Sequence, residues 1–428
     1  MTRLRQRRVG AVPWFMFTEA GLSASFAGTF TIVGVLYVSD IGLSPLQLVL
    51  IGTVMEVTAF LFEIPTGVVA DTYSRRTSLI VGWFLHGGSF TLIAVAPNFE
   101  TLLVASALSG LAFTFESGAY EAWITDEVGA DKVGPIFMRG ARASYAGAIV
   151  GILAAVGLAA AFGLRAAVLA GGLAALVIAV AGVLVMPETG FTRHRVEGRE
   201  GWRAVTGTAA DGGKLVRAQP LVALILAITF FAGMSTEAND RLWEAHFLRD
   251  IGLPELWSLD PVWWFAVFRI GEMLLGMAGT TLLLKRIQRF PAQSMARVLI
   301  VLTTLQLGAI LVFGFAGGLI VAIAGYWLYS LTRSLANPAY MTWLNQNITD
   351  SRVRATVISF SGQIDAVGQA GGGPALGAIG NAWGIRAALA ASAVVLAPAL
   401  GLYARALRHG GIEPELSELP PVDSAAVV

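Results

Sequence analysis

Apolar residues run along this chain in long blocks separated by short polar stretches. Blocks near 12–38, 46–69, 77–96, 101–124, 138–161, 166–186, 219–247, 261–284, 295–315, 318–345, 355–380 and 385–406 are each mostly apolar. A helix of about 20 such residues crosses a hydrocarbon core of roughly 30 Å, and a helix satisfies its own backbone hydrogen bonds there. The pattern predicts twelve spanning helices. The seventh is the least regular, because Glu237, Asp240, Arg241 and Glu244 interrupt it. The first follows Arg3, Arg5, Arg7 and Arg8 as a signal peptide would, but its length and Glu19 read as a retained helix.

Composition agrees with lipid as the solvent. With 428 residues, 56% of them hydrophobic and 13% charged, and a mean hydropathy of +0.70, the chain has too little polar surface to cover a soluble globule of its size. A soluble enzyme is thereby excluded, and abundant glycine and alanine suit close packing of helices in a membrane. Net charge is +1, which gives no reason for a nucleic-acid partner, and with no cysteine there are neither disulfides nor thiolate metal sites. No cofactor is implied: no glycine-rich phosphate loop ending in lysine and serine or threonine is present, so ATP is not expected as the driver.

Basic residues set the expected orientation. The N-terminal tail, Arg75 and Arg76, the Lys132 loop, the segment from Arg193 to Arg217, Lys285, Arg286 and Arg289, Arg352 and Arg354, and Arg405 and Arg408 all fall on one side. The positive-inside rule makes that side cytoplasmic, with both termini on it. The other side holds little beyond Arg165, Arg249 and Arg386.

The chain also repeats. Ala119-Tyr120-x-x-Trp123 matches Ala339-Tyr340-x-x-Trp343 at an offset of 220 (340 − 120). Arg139, Ser144, Gly147 and Gly157 match Arg354, Ser359, Gly362 and Gly372 at 215 (354 − 139). Thr18-Glu19-Ala20 pairs with Thr236-Glu237-Ala238, and Ile51-Gly52 with Ile270-Gly271. In order, these matches argue for an internal duplication. The expected fold is an all-α membrane protein of twelve transmembrane helices in two pseudo-symmetric six-helix bundles. One bundle covers 1–186, a cytoplasmic linker 187–218, the second bundle 219–407 and a cytoplasmic tail 408–428.

The turn between spans two and three carries Gly67, Asp71, Arg75 and Arg76, and Pro187-Glu188-Thr189 follows span six. In spacing and position these resemble two motifs of the major facilitator superfamily, and the likeness extends over essentially the whole chain. The superfamily usually has a basic residue after the aspartate and a glycine before the basic pair, where this chain has Thr72 and Ser74. Glu63-Ile-Pro65-Thr-Gly67 and Glu237-x-x-Asp240-Arg241-x-x-Glu244 are loosely similar to the bacterial drug-efflux branch of tetracycline- and macrolide-type proton antiporters. An arginine in span four and a glycine-proline motif in span five, frequent in drug–proton antiporters, are missing. Gly371-Gly372-Gly373-Pro374 stands instead in span eleven, the repeat mate of span five, as a hinge or a site of close packing.

The resemblance implies a secondary transporter in the cell membrane, not an enzyme, working as a monomer on a small molecule and protons by alternating access. Asp71, Arg75 and Arg76, with Glu121 or Asp126 of span four, would then latch one face shut. Acids deep in the spans must face a cavity or one another, since each costs roughly 2.5–3.5 kcal/mol to insert. Candidates for proton coupling or substrate contact are Glu237, Asp240, Arg241, Glu116, Arg333, Glu19, Glu272, Arg269, Asp365 and Glu56. Glu237 and Arg241 share a helical face and can pair, as can Arg269 and Glu272, which leaves Asp240 as surplus acid. In the superfamily, spans one, four, seven and ten line the cavity, which favours Glu116 and Arg333. Unpaired carboxylates there either attract a cation or stay protonated. Tryptophans such as Trp14, Trp83, Trp123 and Trp383 lie near span ends, as interface anchors do. An importer of the same fold would share every one of these features. An intramembrane enzyme or receptor would need a catalytic cluster that the spans do not display.

Overall fold

A computed structural model describes residues 10–192, 220–255, 260–287, 292–348 and 351–408. The basic N-terminal tail, the segment from 193 to 217, Arg289 and nearly all of the expected C-terminal tail lie outside the described residues. The helices are α1 (Ala11–Val35) with a π-helical turn (Leu36–Asp40), α2 (Pro45–Thr72), α3 (Arg75–Val95), α4 (Phe99–Glu116), α5 (Ala119–Val128), α6 (Ala130–Phe162) and α7 (Leu164–Val185). After the linker come α8 (Pro220–His246) with a second π-helical turn (Phe247–Ile251), α9 (Trp263–Ile287), α10 (Ala292–Gly314), α11 (Leu319–Asn347), α12 (Ser351–Trp383), α13 (Ile385–Leu396) and α14 (Pro398–Ala406).

Among the described residues, eleven stretches are long and apolar enough to cross a membrane. α12, the expected eleventh span, is not one of them although it is 33 residues long, because Gln363, Asp365, Gln369 and Asn381 dilute its apolar character. The expected fourth span is two helices, α4 and α5, separated at Ser117-Gly118, and the twelfth is α13 and α14, separated before Pro398. α8 runs unbroken through its four charged residues.

Polar residues start the helices where the chain turns. Ser44 Oγ accepts from Gln47 N at 3.3 Å while Ser44 N donates to Gln47 Oε1 at 2.9 Å, with Pro45 in the first turn. Ser74 Oγ accepts from Thr77 N at 2.9 Å and Asn98 Oδ1 from Thr101 N at 3.0 Å. Large apolar side chains such as Val104, Val150, Val177, Ile320 and Val394 are exposed on the outer faces, as a lipid surround requires. The tryptophans depart from expectation. Trp383 is exposed, but Trp14, Trp83 and Trp123 are buried in one apolar cluster, where Trp123 Nε1 donates to Pro187 O at 2.9 Å. An indole at a span end is also a large apolar body, and here neighbouring helices cover it.

Helices before the linker pack chiefly with one another, α1 on α6 and α7, α3 on α7 and α4, α2 on α4. Those after it do the same, α10 on α11, α8 on α12 and α13, α9 on α11, while α2 against α12 joins the sets. A continuous apolar cluster runs from Ile32, Leu36 and Val49 to Trp243 and Phe247. These residues sit near the α1–α2 turn, so the sets meet at the end remote from Asp71.

The same contacts recur in both sets, in a register that differs from part of the sequence alignment. Tyr120 Oη bonds Thr18 Oγ1 of α1 at 2.6 Å, and Tyr340 Oη bonds Thr229 Oγ1 of α8 at 3.0 Å. α1 and α8 both end in a π-helical turn, Leu36–Asp40 and Phe247–Ile251, followed by a left-handed glycine, Gly42 (φ 76°) and Gly252 (φ 78°). In a left-handed conformation a side chain is strained, so each turn has a glycine. Gly147 and Gly151 of α6 press on Ala20 and Ala24 of α1, as Gly368 and Gly372 of α12 press on Phe230 and Met234 of α8. The first helices therefore correspond at 210 to 211 (230 − 20 and 229 − 18), not at the 218 that equated Thr18 with Thr236 (236 − 18). The fifth helices correspond at 221 (368 − 147), not at 215. Glu19 and Glu237 are thus not repeat mates. Small residues recur so often on these helices that a shift of two turns still aligns glycine with glycine, and only contacts fix the register.

Candidate functional site

α8 carries the centre of the site. One face of it holds Glu237 and Arg241, one turn apart, and Arg241 Nε donates to Glu237 Oε1 at 3.2 Å. Glu237 is 1% exposed, and its second oxygen, Oε2, has no hydrogen-bond partner among the described residues. Two glycines make room for it. A Cβ on Gly52 of α2 would overlap both Arg241 Nε and Glu237 Oε1, and one on Gly373 of α12 would lie 3.0 Å from Glu237 Cγ. The pair is therefore clasped between backbones of both helix sets.

Asp240 is not surplus: Arg333 Nη1 of α11 donates to its Oδ1. Glu244 is buried against Gly34 of α1, and its nearest cation among the described residues is Arg269 of α9 at 3.9 Å. Arg269 pairs with Glu272 at 3.5 Å, while Glu272 also accepts from Tyr326 Oη at 2.8 Å. Trp243 is held between two neighbours. It stacks on Tyr326 with centroids 4.8 Å apart and lies 4.8 Å under the Arg269 guanidinium. Four acids and three arginines from α8, α9 and α11 thus form a charged network of three ion-paired groups, in which each charge of α8 faces an opposite one.

A cavity of about 110 Å³ opens onto this network, lined on its polar side by Asp240, Arg241, Glu244 and Arg269. Its apolar side includes Phe30, Val33, Met55 and Phe90. Its walls come from α1 to α4, α8 and α9, so α11 reaches it only through Arg333 on Asp240. Glu116 does not line it. Glu116 turns to His86 of α3, Oε1 to Nδ1 at 2.7 Å, beside Gly82. Glu56, Asp365 and Glu19 are half-buried outside the network's ion pairs. Gln369 Nε2 donates to Asp365 Oδ2 at 2.7 Å, and Asp365 Oδ1 lies where a Cβ on Gly233 would come to 2.8 Å. Glu19 packs near Gly140.

The turn carrying Asp71 is tied within the first set. Arg75 Nη1 donates to Asp126 Oδ2 at 2.5 Å and Arg75 lies 3.7 Å from Asp71, while Arg76 Nη2 donates to Val183 O at 2.7 Å. Glu188 closes the turn, its carboxylate accepting from Ser74 Oγ at 2.8 Å and Arg76 N at 2.9 Å. Glu121 is exposed and a Cβ on Gly67 would meet nothing within 4 Å among the described residues. At the opposite end the sets hold each other: Arg249 Nη2 donates to Leu43 O at 2.8 Å and Val38 O at 3.3 Å, and Leu46 N donates to Asn381 Oδ1 at 3.0 Å. Gly377 and Gly380 bring α12 onto Leu46 and Pro45, and Gly372 seats α12 on Met234, whereas Gly371 faces open space. α12 stays helical through Pro374.

Gly34, Gly52, Tyr326 and Arg249 were not singled out as site residues from sequence. For Gly52 a signal existed, since Ile51-Gly52 matches Ile270-Gly271, and Gly271 likewise seats a large side chain, that of Trp327.

Residues 15–363 match the Major Facilitator Superfamily. A Bacillus subtilis (strain 168) protein described as an uncharacterized MFS-type transporter, YxaM, is 24% identical over 392 residues, covering 90% of this chain and 94% of its own. The nucleoside transporter NupG superposes with a TM-score of 0.75 at 10% identity, over 94% of this chain and 100% of that one. A bacterial homolog of the human lysosomal transporter Spinster, in an inward-facing and occupied conformation, superposes with a TM-score of 0.70 at 15% identity, over 94% and 98%. The POT family transporter PepTSo does so at 0.69 and 15%, over 93% and 98%. At these identities the solved structures share the fold.

Proposed function

The chain belongs to the Major Facilitator Superfamily, and from that premise we propose that it exports small amphipathic compounds across the cell membrane by proton-coupled alternating access. Its family makes it a multi-pass membrane transporter. The finer reading is a twelve-helix protein in two six-helix bundles that rock about the cavity, with both termini cytoplasmic. Recurrence of the Tyr120–Thr18 contact as Tyr340–Thr229, and of both π-helical turns, supports two related bundles. Contacts of Arg249 and Asn381 across the sets support a state closed at the end remote from Asp71, which in the expected orientation is the outer end.

One observation carries the coupling. Glu237 is a carboxyl at 1% exposure between the two sets, with one oxygen on Arg241 and the other lacking a hydrogen-bond partner among the described residues. Such an oxygen is a place for a proton to arrive and leave, and its charge state biases how tightly Arg241, Gly52 and Gly373 close around it. Export rather than import follows the resemblance to the drug-efflux branch.

The test is substrate flux in proteoliposomes under an imposed pH gradient, comparing Glu237→Gln, Asp240→Asn and Glu116→Gln. Glu237→Gln is expected to lose gradient-driven flux while retaining exchange of substrate for substrate. Glu116→Gln, whose carboxyl is bonded to His86 and not to the network, should keep both. Full gradient dependence in Glu237→Gln would remove the coupling assignment.

A further inference from the structure

Within the charged network the ion pairs are unequally made. Elsewhere in the chain arginines close on carboxylates tightly, Arg75 on Asp126 at 2.5 Å and Arg165 on Asp40 at 2.7 Å. Charge-assisted N–H···O contacts are ordinarily about 2.7–2.9 Å. Arg269, although it faces the cavity, has none that short among the described residues: it stands 3.5 Å from Glu272, 3.9 Å from Glu244 and 3.5 Å from Phe30 O. Its guanidinium is nevertheless fixed in place, 4.8 Å over the Trp243 ring. Arg241 faces the same cavity and holds Glu237 through Nε, so the fork of its terminal nitrogens is not spent on that bond.

The acids of the network are better supplied. Glu237 has Arg241, Asp240 has Arg333, and Glu272 has Tyr326 at 2.8 Å. Glu244 alone has no side-chain partner nearer than Arg269 at 3.9 Å among the described residues. Its carboxyl is pressed against Gly34, where a Cβ would come within 2.5 Å of Cδ. The cavity therefore presents two incompletely used guanidiniums, one weakly held carboxylate, Asp240 already bonded to Arg333, and an apolar wall of Phe30, Val33, Met55 and Phe90.

We propose that this cavity takes a small organic acid, with its carboxylate clasped by Arg241 and Arg269 and its apolar body on the phenylalanine side, and that Glu244 is the resident carboxylate the substrate displaces from Arg269. The inference rests on the transport reading above and narrows its substrate to anions. A carboxylate matches the planar fork of a guanidinium, and an arginine already stacked on an indole loses little freedom when it binds. A cationic compound would have to take Asp240 from Arg333 or share Glu244 with Arg269, since both acids that line the cavity have an arginine beside them.

The purified protein in lipid nanodiscs, tested with probes that share one apolar body and differ in charge, decides the matter. Phenylacetate, phenylacetamide and phenethylamine are added at millimolar concentration and thermal stabilisation is read. Phenylacetate is expected to stabilise the wild type while the amide and the amine do not. Arg269→Lys and Arg241→Lys keep the charge and lose the fork, and each should weaken phenylacetate binding about tenfold or more. Glu244→Gln removes the competitor and should tighten binding severalfold, whereas a purely structural Glu244 would change stability and leave affinity alone.

Preferential stabilisation by the amine or the amide, no shift with any of the three probes, or unchanged phenylacetate affinity in both lysine variants would overturn the proposal. Flux in proteoliposomes separates this from the transport reading. Gradient-driven flux of phenethylamine would leave a transporter without an anion site, and tight phenylacetate binding with no flux would leave the anion site without a transporter.

Discussion

Arg333 of α11 is bonded to Asp240 of α8, so the acid that has no partner on its own helix finds its cation 93 residues later in the chain. Arg333 also reaches Tyr329 Oη at 3.5 Å, and the pair ties α11 to the helix that carries the site.

Removing Arg333 should therefore act through Asp240. Arg333→Gln and Asp240→Asn are each expected to lower flux about tenfold, and the double variant to lose less than the product. That gives a coupling energy of about 0.5–3 kcal/mol in a double-mutant cycle. Because both side chains are more than a third exposed, 44% and 34%, melting temperature should move little in any of the three.

Gly52 is where α2 closes on the Glu237–Arg241 pair. Gly52→Ala should destabilise by about 1–3 kcal/mol, the usual range for overpacking, and abolish gradient-driven flux. Gly67→Ala offers the contrast. Its Cβ meets nothing within 4 Å, so its melting temperature should match wild type, although Gly67 belongs to the more recognisable motif.

Arg75 joins the Asp71 turn to α5. Breaking its bond with Asp126 by Asp126→Asn leaves a mostly buried guanidinium, 16% exposed, with Asp71 at 3.7 Å as its remaining acid. The expected cost is about 1–3 kcal/mol, read as a lower melting temperature in detergent. Glu188→Gln should weaken the same turn, since a neutral amide cannot accept at both oxygens from Ser74 and Arg76 N.

Arg249 holds the two sets together at the end remote from Asp71. Arg249→Ala should shift the population toward a state open at that end. The chain has no cysteine, so a single Val49→Cys, fully buried here between α2 and α12, reports the opening directly. Labelling of Val49→Cys by a membrane-impermeant maleimide should be severalfold faster with Arg249→Ala than without it.

Much of the helical layout was legible in the chain. Blocks of apolar residues longer than a hydrocarbon core is thick have few options but to be helices, and the observed boundaries lie close to the expected ones. Where they do not, a local cause is visible, such as the Ser117-Gly118 interruption after α4 or the polar side chains of α12. The Asp71 turn was legible for a similar reason. Its residues are neighbours in sequence, so the Arg75–Asp71 contact needs no long-range information, although its tie to Asp126 does.

The site was legible as a list of residues and not as a set of partners. Sequence spacing gave the contacts one turn apart, Glu237 with Arg241 and Arg269 with Glu272, because helical geometry alone brings them together. It assigned Asp240 no partner, placed Glu116 in the cavity and equated Glu19 with Glu237. Each of these depends on which helix faces which, and at what height. That height is set at Gly147 and Gly372, where a missing side chain lets two helices touch, and at Gly34 and Gly52, where it leaves room for Glu244 and for the Glu237–Arg241 pair. A glycine in an apolar helix looks the same in sequence whether it faces lipid, as a spacer, or clasps a carboxylate. The sequence by itself determined that acids would stand in the membrane, because their charge must be answered there. Only the packed structure decided what answers each of them, because ion pairs between helices depend on distances that no periodicity along one helix contains.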